Sequence, residues 1–363
     1  MHFPTRHSDI QARLETIDPL AYGKTRNYID GDVTYLSPYL SRGVLSTRQV
    51  FQSVLARGFD PKAVERFVQE LCWRDYWQAV WRSKGSAINS DLRRPQPDVA
   101  HTGLPTNLQN ANTGIAAIDQ AINTLYQSGY AHNHLRMYIA SLACRIAKCH
   151  WKIPAQWMYY HLLDADWASN ALSWQWVAGA NSTKTYIANQ ENINRFCHCD
   201  QRGTFLDQSY EAIETMQTPP ALSELASPNF ATALPQHEPL RIDQAHDTLI
   251  YNFYNMDPQW RTEQAANRIL LLEPSIFKAY PVAQQSIQFM IDLGANVPGL
   301  QWFVGEFAEL ESQLENKRVF YKEHPLNRYR GTEDPRDPIH HVDGYYPSFF
   351  SYWKACQRSL KNA

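Results

Sequence analysis

What most constrains this chain is residues 130–179, where apolar residues recur with the period of a helix while the polar ones are kinds that helices rarely need. Leu135, Ile139, Leu142 and Ile146 make one apolar stripe, with Asn133, Arg136 and Met137 outside it. After Trp151 and Pro154 a second helix carries Trp157, Tyr160 and Leu163, and the turn Asp164-Ala165-Asp166 leads to a third. Asp166, Asn170 and Trp174 are each four apart, so on a helix a carboxylate, an amide and an indole share one face. The helix dipole by itself favours aspartates in a first turn, which accounts for Asp164 and Asp166 without any function. Asn170, in a helix interior where asparagine has mediocre propensity, points to a hydrogen-bonding duty. Aromatics, acids and amides at this density fit the wall of a pocket for a large, flat, partly charged ligand.

Upstream, residues 1–35 read as an opening helix and a loop that ends in Thr34-Tyr35-Leu36-Ser37-Pro38. The Thr34 and Ser37 hydroxyls beside a proline are expected to cap the next helix, an arrangement that also suits an anionic group such as a phosphate. After Asp60-Pro61 a long helix buries Val64, Phe67, Val68, Leu71 and Cys72. Glu70, Trp73, Arg74, Trp77 and Trp81 form an adjacent stripe, which serves either as a second core contact or as a ligand or DNA face. Residues 86–113, rich in Pro, Asn, Asp and Gly, read as a long surface loop, and helix resumes at 115–126 before a break at Ser128-Gly129.

Composition excludes little but is useful at the margins. With 363 residues, 44% of them hydrophobic, the chain has core enough for two domains. A net charge of −2 gives no global basic field, so any nucleic-acid contact has to come from a local patch. The six scattered cysteines suit reduced thiols and a cytoplasmic setting. Cys197-His198-Cys199 is followed by no second cysteine pair, so no metal site is expected. The amino terminus lacks an apolar signal core and no run approaches 18 apolar residues, so no membrane span is expected.

Four motifs, in order over residues 20–180, resemble the FAD-binding domain of the DNA photolyase and cryptochrome family. They are Thr34-Tyr35-Leu36-Ser37-Pro38-Tyr39-Leu40 with Gly43 and Ser46; Glu70-Leu71-Cys72-Trp73-Arg74-Asp75-Tyr76; Gly129 through Met137; and Asp164-Ala165-Asp166 through Asn170 to Trp174-Gln175-Trp176. The resemblance implies a mostly helical domain holding FAD in a bent form. By it, Tyr22, Thr34, Leu36 and Ser37 hold the phosphates and ribityl chain, and Arg74 and Asn133 help fix the cofactor. Arg136 pairs with Asp164 beside the ring, Asp166 serves the ring or the adenine side, and Asn170 faces flavin N5. The implied reaction is light-driven electron transfer to a pyrimidine dimer flipped out of damaged DNA. Glu70, Trp73, Asn133, Met137 and Trp176 match lesion contacts, and Arg26 a backbone contact. Asn133, Met137 and Asn170 resemble the enzymes for cyclobutane dimers; His132 and His134 keep open those for the other major ultraviolet photoproduct.

The departures from the family matter as much. Trp174 and Trp151 match the proximal and middle members of the tryptophan chain that reduces the flavin, while the outer member is missing, with His101 near its place and Trp157 or a tyrosine as substitutes. His134 stands where the family has arginine. The expected division is a helical domain at 1–205, a proline-rich linker at 206–245 and an α/β domain at 246–363. Strands at 269–273, 300–304 and 318–322 with a helix at 281–293 predict a small parallel, Rossmann-like sheet. This module loosely resembles the family's amino-terminal domain, displaced and shortened; that domain can hold an antenna pigment, and none is identified here. The aromatic end, GYYPSFFSYWKACQRSLK, is expected either to dock on the helical domain or to offer base-stacking surface. Three functions compete: light-dependent repair, a cryptochrome-like photosensor without repair, and a non-photochemical flavin protein.

Overall fold

The computed structural model describes residues 2–183, 185–315, 318–342 and 344–361. The chain forms two units, neither continuous in sequence. Residues 1–20, 34–83 and 231–363 make one, and residues 21–33 with 84–230 make the other. These units cut across the sequential division at 205 and 245.

The first unit is organised by a parallel sheet of five strands: β1 (Asp247–Tyr251), β2 (Ala266–Leu272), β3 (Leu300–Val304), β4 (Val319–Lys322) and β5 (Thr332–Asp334). Their order is β3-β2-β1-β4-β5, the doubly wound arrangement. β1 and β2 are apolar and buried over their second halves, Leu249 to Tyr251 and Ile269 to Leu272, as expected of parallel strands covered on both faces. Ile250, Ile269, Leu271, Phe303, Val319 and Tyr321 form the core of one face. The predicted parallel sheet is therefore present. Two strands were not foreseen: β1, which directly follows the proline-rich stretch, and β5, an exposed three-residue edge with no alternation to reveal it.

The same unit contains the His7–Thr16, Thr47–Ala56 and Glu65–Lys84 helices. A reciprocal Ser46–Gln49 capping box starts the second of these. Along Glu65–Lys84 the indole stripe divides. Trp77 and Trp81 are core, Trp81 meeting His324 edge-on at 5.0 Å along with Tyr254 and Tyr280. Gly43, at φ 64°, lets the backbone approach Tyr254 so closely that a Cβ would sit 2.7 Å from its carbonyl oxygen. Asp75 is buried, accepts from Thr47 Oγ1 at 2.9 Å and from the Ile339 amide at 3.1 Å, and is pushed up to about 6 by desolvation. The carboxyl-terminal helix, Phe349–Lys361, docks on Glu65–Lys84, the first of the two alternatives left by its sequence.

The second unit is helical: Ala116–Ser128, Asn133–Ser141, Lys152–His161, Trp167–Ala178, Gln190–Cys197 and Tyr210–Thr215. Gly129, at φ 66°, ends the first of these at the break its sequence announces. The helix begun at Asn133 does not run on regularly; it loosens into a π turn at Leu142–Ile146. The expected linker is partly folded here. Tyr210–Thr215 is helical and Leu225–Ala226 pairs antiparallel with Leu104–Pro105. Among the described residues no helix is long and apolar enough to cross a membrane.

Candidate functional site

In the helical unit, three neighbouring helices carry the polar residues singled out in the sequence. Asn133–Ser141 starts behind His132, whose Nδ1 accepts from the His134 amide at 3.2 Å. One turn in, Arg136 donates from Nε to the Ala131 carbonyl at 2.8 Å, and from Nη1 and Nη2 to the two Asp164 oxygens at 3.1 Å each. This is a fork-to-fork pair, with side chains 20% and 5% exposed, so water screens it little. Three of the five guanidinium N–H groups are used in these bonds, leaving two for a polar ligand edge.

Asp166 is the N-cap of Trp167–Ala178, accepting from the Ser169 amide at 2.8 Å. Asn170, one turn later, donates Nδ2 to the Ala155 carbonyl at 2.8 Å and so ties its helix to Lys152–His161. The hydrogen-bonding duty expected of Asn170 is thus met at least in part by backbone. Beside it, the Ser169 hydroxyl is buried without a protein partner. Trp174 is buried, Trp176 is 37% exposed, Asn133 is exposed and Met137 half-buried, so Asn133, Met137 and Trp176 remain accessible. His132 is pushed down to about 4, first by burial and then by His134 and Arg136; burial also lowers His134. His132 is therefore neutral at pH 7. In the same unit Tyr22 is half-buried, and Arg26 donates Nη1 to the Gly23 carbonyl at 3.1 Å.

The tryptophans matched to an electron path sit in different surroundings. Trp151 is fully buried, donates Nε1 to Asp91 at 2.8 Å and lies 6.4 Å from the ring of Trp167, which meets Tyr159 at 5.4 Å. Trp157, the substitute considered from sequence, is instead bonded to the Tyr126 hydroxyl at 2.9 Å and borders His161. Trp167 and Tyr159 were missed in the sequence because each reads there as an ordinary helix residue.

In the sheet-containing unit, the Thr34-to-Pro38 segment corrects one expectation. The Ser37–Ser41 helix is capped by Leu36 without any side-chain bond, and Thr34 Oγ1 instead accepts from the Leu36 amide at 3.3 Å. Thr34 is half-buried, Ser37 is the first residue of the helix rather than its cap, and Tyr35 lies in the left-handed region at φ 54°. A non-glycine residue in that region is strained, a trait of functional turns. Leu36 is buried, and Arg74 donates Nη1 to Ser41 Oγ at 3.0 Å. Glu70 and Trp73 are half-buried, and Phe349 lies flat on the Trp73 indole, centroids 3.9 Å apart and planes 10° from parallel.

Residues 67–233 match the family described as the FAD binding domain of DNA photolyase. A deoxyribodipyrimidine photo-lyase of Streptomyces griseus is 31% identical over 172 residues, 45% of this chain and 36% of that protein. A putative mitochondrial cryptochrome DASH of Neurospora crassa is 25% identical over 233 residues, 51% of this chain and 31% of that protein. The match thus spans about a third of these relatives' length. Among solved structures, a Synechocystis cryptochrome aligns with a TM-score of 0.48 at 24% identity, covering 54% of this chain and 44% of that one.

Proposed function

We propose, from the match of residues 67–233 to the family described as the FAD binding domain of DNA photolyase, that this chain binds FAD and is a light-dependent repair enzyme splitting cyclobutane pyrimidine dimers. The observation that carries the proposal is the buried Arg136–Asp164 fork, with two N–H groups to spare, next to the capped start of Trp167–Ala178. That donor set fits the polar edge of a flavin ring. Reduced FAD, when bound and excited by light, supplies one electron to the dimer and takes it back.

The chain's own residues hold, orient and exclude. The Arg136–Asp164 pair presents fixed charge that needs no rearrangement during turnover. Asp166 pins the first turn of its helix and thereby sets the direction of Asn170 and Trp174. Tyr22, Thr34, Leu36, Ser37 and Arg74 are the proposed phosphate and ribityl contacts. Glu70, Trp73, Asn133, Met137 and Trp176 are the proposed lesion contacts, with Arg26 on the DNA backbone. Trp174 and Trp151 begin the reducing path, which Trp167 extends. A His132 held near 4 has no proton to give at neutral pH, which supports the cyclobutane dimer over the other photoproduct.

The test is direct. The reduced, FAD-loaded protein is mixed with single- and double-stranded oligonucleotides carrying one thymine dimer and lit with blue light; recovery of thymines is expected, and none on either substrate refutes repair. One observation favours a second reading, a photosensor without repair: Phe349 already covers the Trp73 face. That reading expects light-driven change in flavin state with every dimer intact.

A further inference from the structure

We infer that Phe349 is a gate on Trp73: the first turn of the carboxyl-terminal helix occupies the indole face that a flipped-out base would stack on, and it opens while the rest of the helix stays docked. The inference rests on Trp73 being a lesion contact, as proposed above, and adds how access to it is controlled.

The geometry leaves room for one occupant. At 3.9 Å and 10° the phenyl ring covers the indole as a stacked base would, so base and Phe349 exclude one another. Trp73 itself is held from its other sides by Trp77 at 5.0 Å and by the edge of Tyr76 at 5.8 Å, so removing the phenyl leaves the indole in place.

What moves is decided by where the helix is anchored. Tyr352, Trp353 and Cys356 are buried, and Gln357 donates to Glu65 at 3.1 Å, so the second and third turns are fixed on Glu65–Lys84. Undocking the whole helix would expose Tyr352 and Trp353 and the Cys356 thiol as well as Phe349, far more than one stacked base recovers. Phe349 is different. It is the first helical residue, buried between Trp73 and Trp353, yet its neighbour Phe350 is 63% exposed, and the turn is closed by Ser348–Ser351 side-chain contacts and one backbone bond, from the Tyr352 amide to the Ser348 carbonyl at 3.1 Å. Upstream, the Tyr346 carbonyl accepts from the Tyr76 hydroxyl at 3.2 Å, so the opening is confined to the short stretch between Tyr346 and Tyr352. Helix ends open at far lower cost than helix bodies, so a stacking base competes with Phe349 on comparable terms.

The experiment measures dark binding of a single-stranded oligothymidylate with one thymine dimer to the FAD-loaded full chain by fluorescence anisotropy. Phe349→Ala and Phe349→Leu are expected to bind about five- to tenfold tighter, the size of one aromatic stack removed from competition. Leucine keeps the site filled without a flat ring, so it guards against misfolding of the alanine variant. The gain should vanish between Trp73→Ala and Trp73→Ala/Phe349→Ala. Unchanged or weaker binding by both Phe349 variants overturns the gate, as does an equal gain in the Trp73→Ala background. If the parent still repairs dimers in that case, only the gate is lost. If neither parent nor variants bind or repair the dimer, the repair reading and the gate fall together.

Discussion

Replacing Asp164 with asparagine keeps the shape of the Arg136 site but removes its negative charge. Arg136 is then left 80% buried with a neutral partner that can satisfy only part of the fork. Breaking a buried pair costs about 3–5 kcal/mol, and the partial exposure of Arg136 puts this one near 3. Arg136→Met should cost about as much by stranding the carboxylate. If the pair also meets the flavin, FAD affinity falls with it, by about a hundredfold for roughly 3 kcal/mol. A double variant, Arg136→Met/Asp164→Leu, separates the two roles. An apolar pair of similar volume should restore stability to within about 1 kcal/mol of the parent, since buried pairs gain little over well-packed side chains. FAD affinity should stay low. Urea unfolding of the apoprotein reads the first quantity, and flavin fluorescence titration the second. A double variant that binds FAD as the parent does would show the pair to be a structural clamp, and the assignment of Arg136 and Asp164 to the cofactor would be wrong.

Trp151→Phe should strongly slow photoreduction of oxidised FAD under steady light, and Trp167→Phe should slow it less; a rate untouched by Trp167→Phe removes that residue from the path. Stability should also decline on acidification. His132, His161 and His340 are pushed down to about 4 and His324 is pushed well down too, all chiefly by burial, so unfolding takes up protons below the ordinary histidine value. Their contribution is complete above about pH 6.5 and is lost as pH falls toward 4, each adding at most about 1.4 kcal/mol per pH unit. Asp75, raised to about 6, acts oppositely, its contribution present below its unfolded value and lost as pH rises through 6, so it offsets about one of the four histidine protons. Urea midpoints that do not change between pH 7 and 5 would contradict this balance.

How far the sequence revealed the molecule depended on whether the deciding force was local. The Ser128-Gly129 break and β3 came out where expected because turn chemistry and apolar runs act over a few residues. Arg136 meeting Asp164 was implied by family resemblance alone, since 28 residues separate them along the chain. Thr34 misled because its hydroxyl beside Ser37-Pro38 resembles a cap, whereas it accepts from the Leu36 amide and Leu36 itself stands at the N-cap. Trp77 and Trp81 shared a stripe with Trp73, and only packing against Tyr254, His324 and Tyr280 shows that Trp81 is core. The Phe349 stack is 276 residues from Trp73 in the chain, beyond the reach of any periodicity.

The union of residues 34–83 with residues 231–363 bears on how the protein is made. Asp75 waits for the Ile339 amide, Trp81 for His324, and the His7 amide for Asn296. At about 5–20 residues per second, roughly ten to fifty seconds of synthesis separate the end of the Glu65–Lys84 helix from β4. For that interval an indole-rich helix stands outside the ribosome with its partners still unwritten. The helices of residues 84–230 are complete well before the sheet, so the helical unit has all its residues while residues 34–83 still wait for theirs. Slow translation or a shortage of chaperones should therefore show first as aggregation of early chains, before any loss in the finished fold.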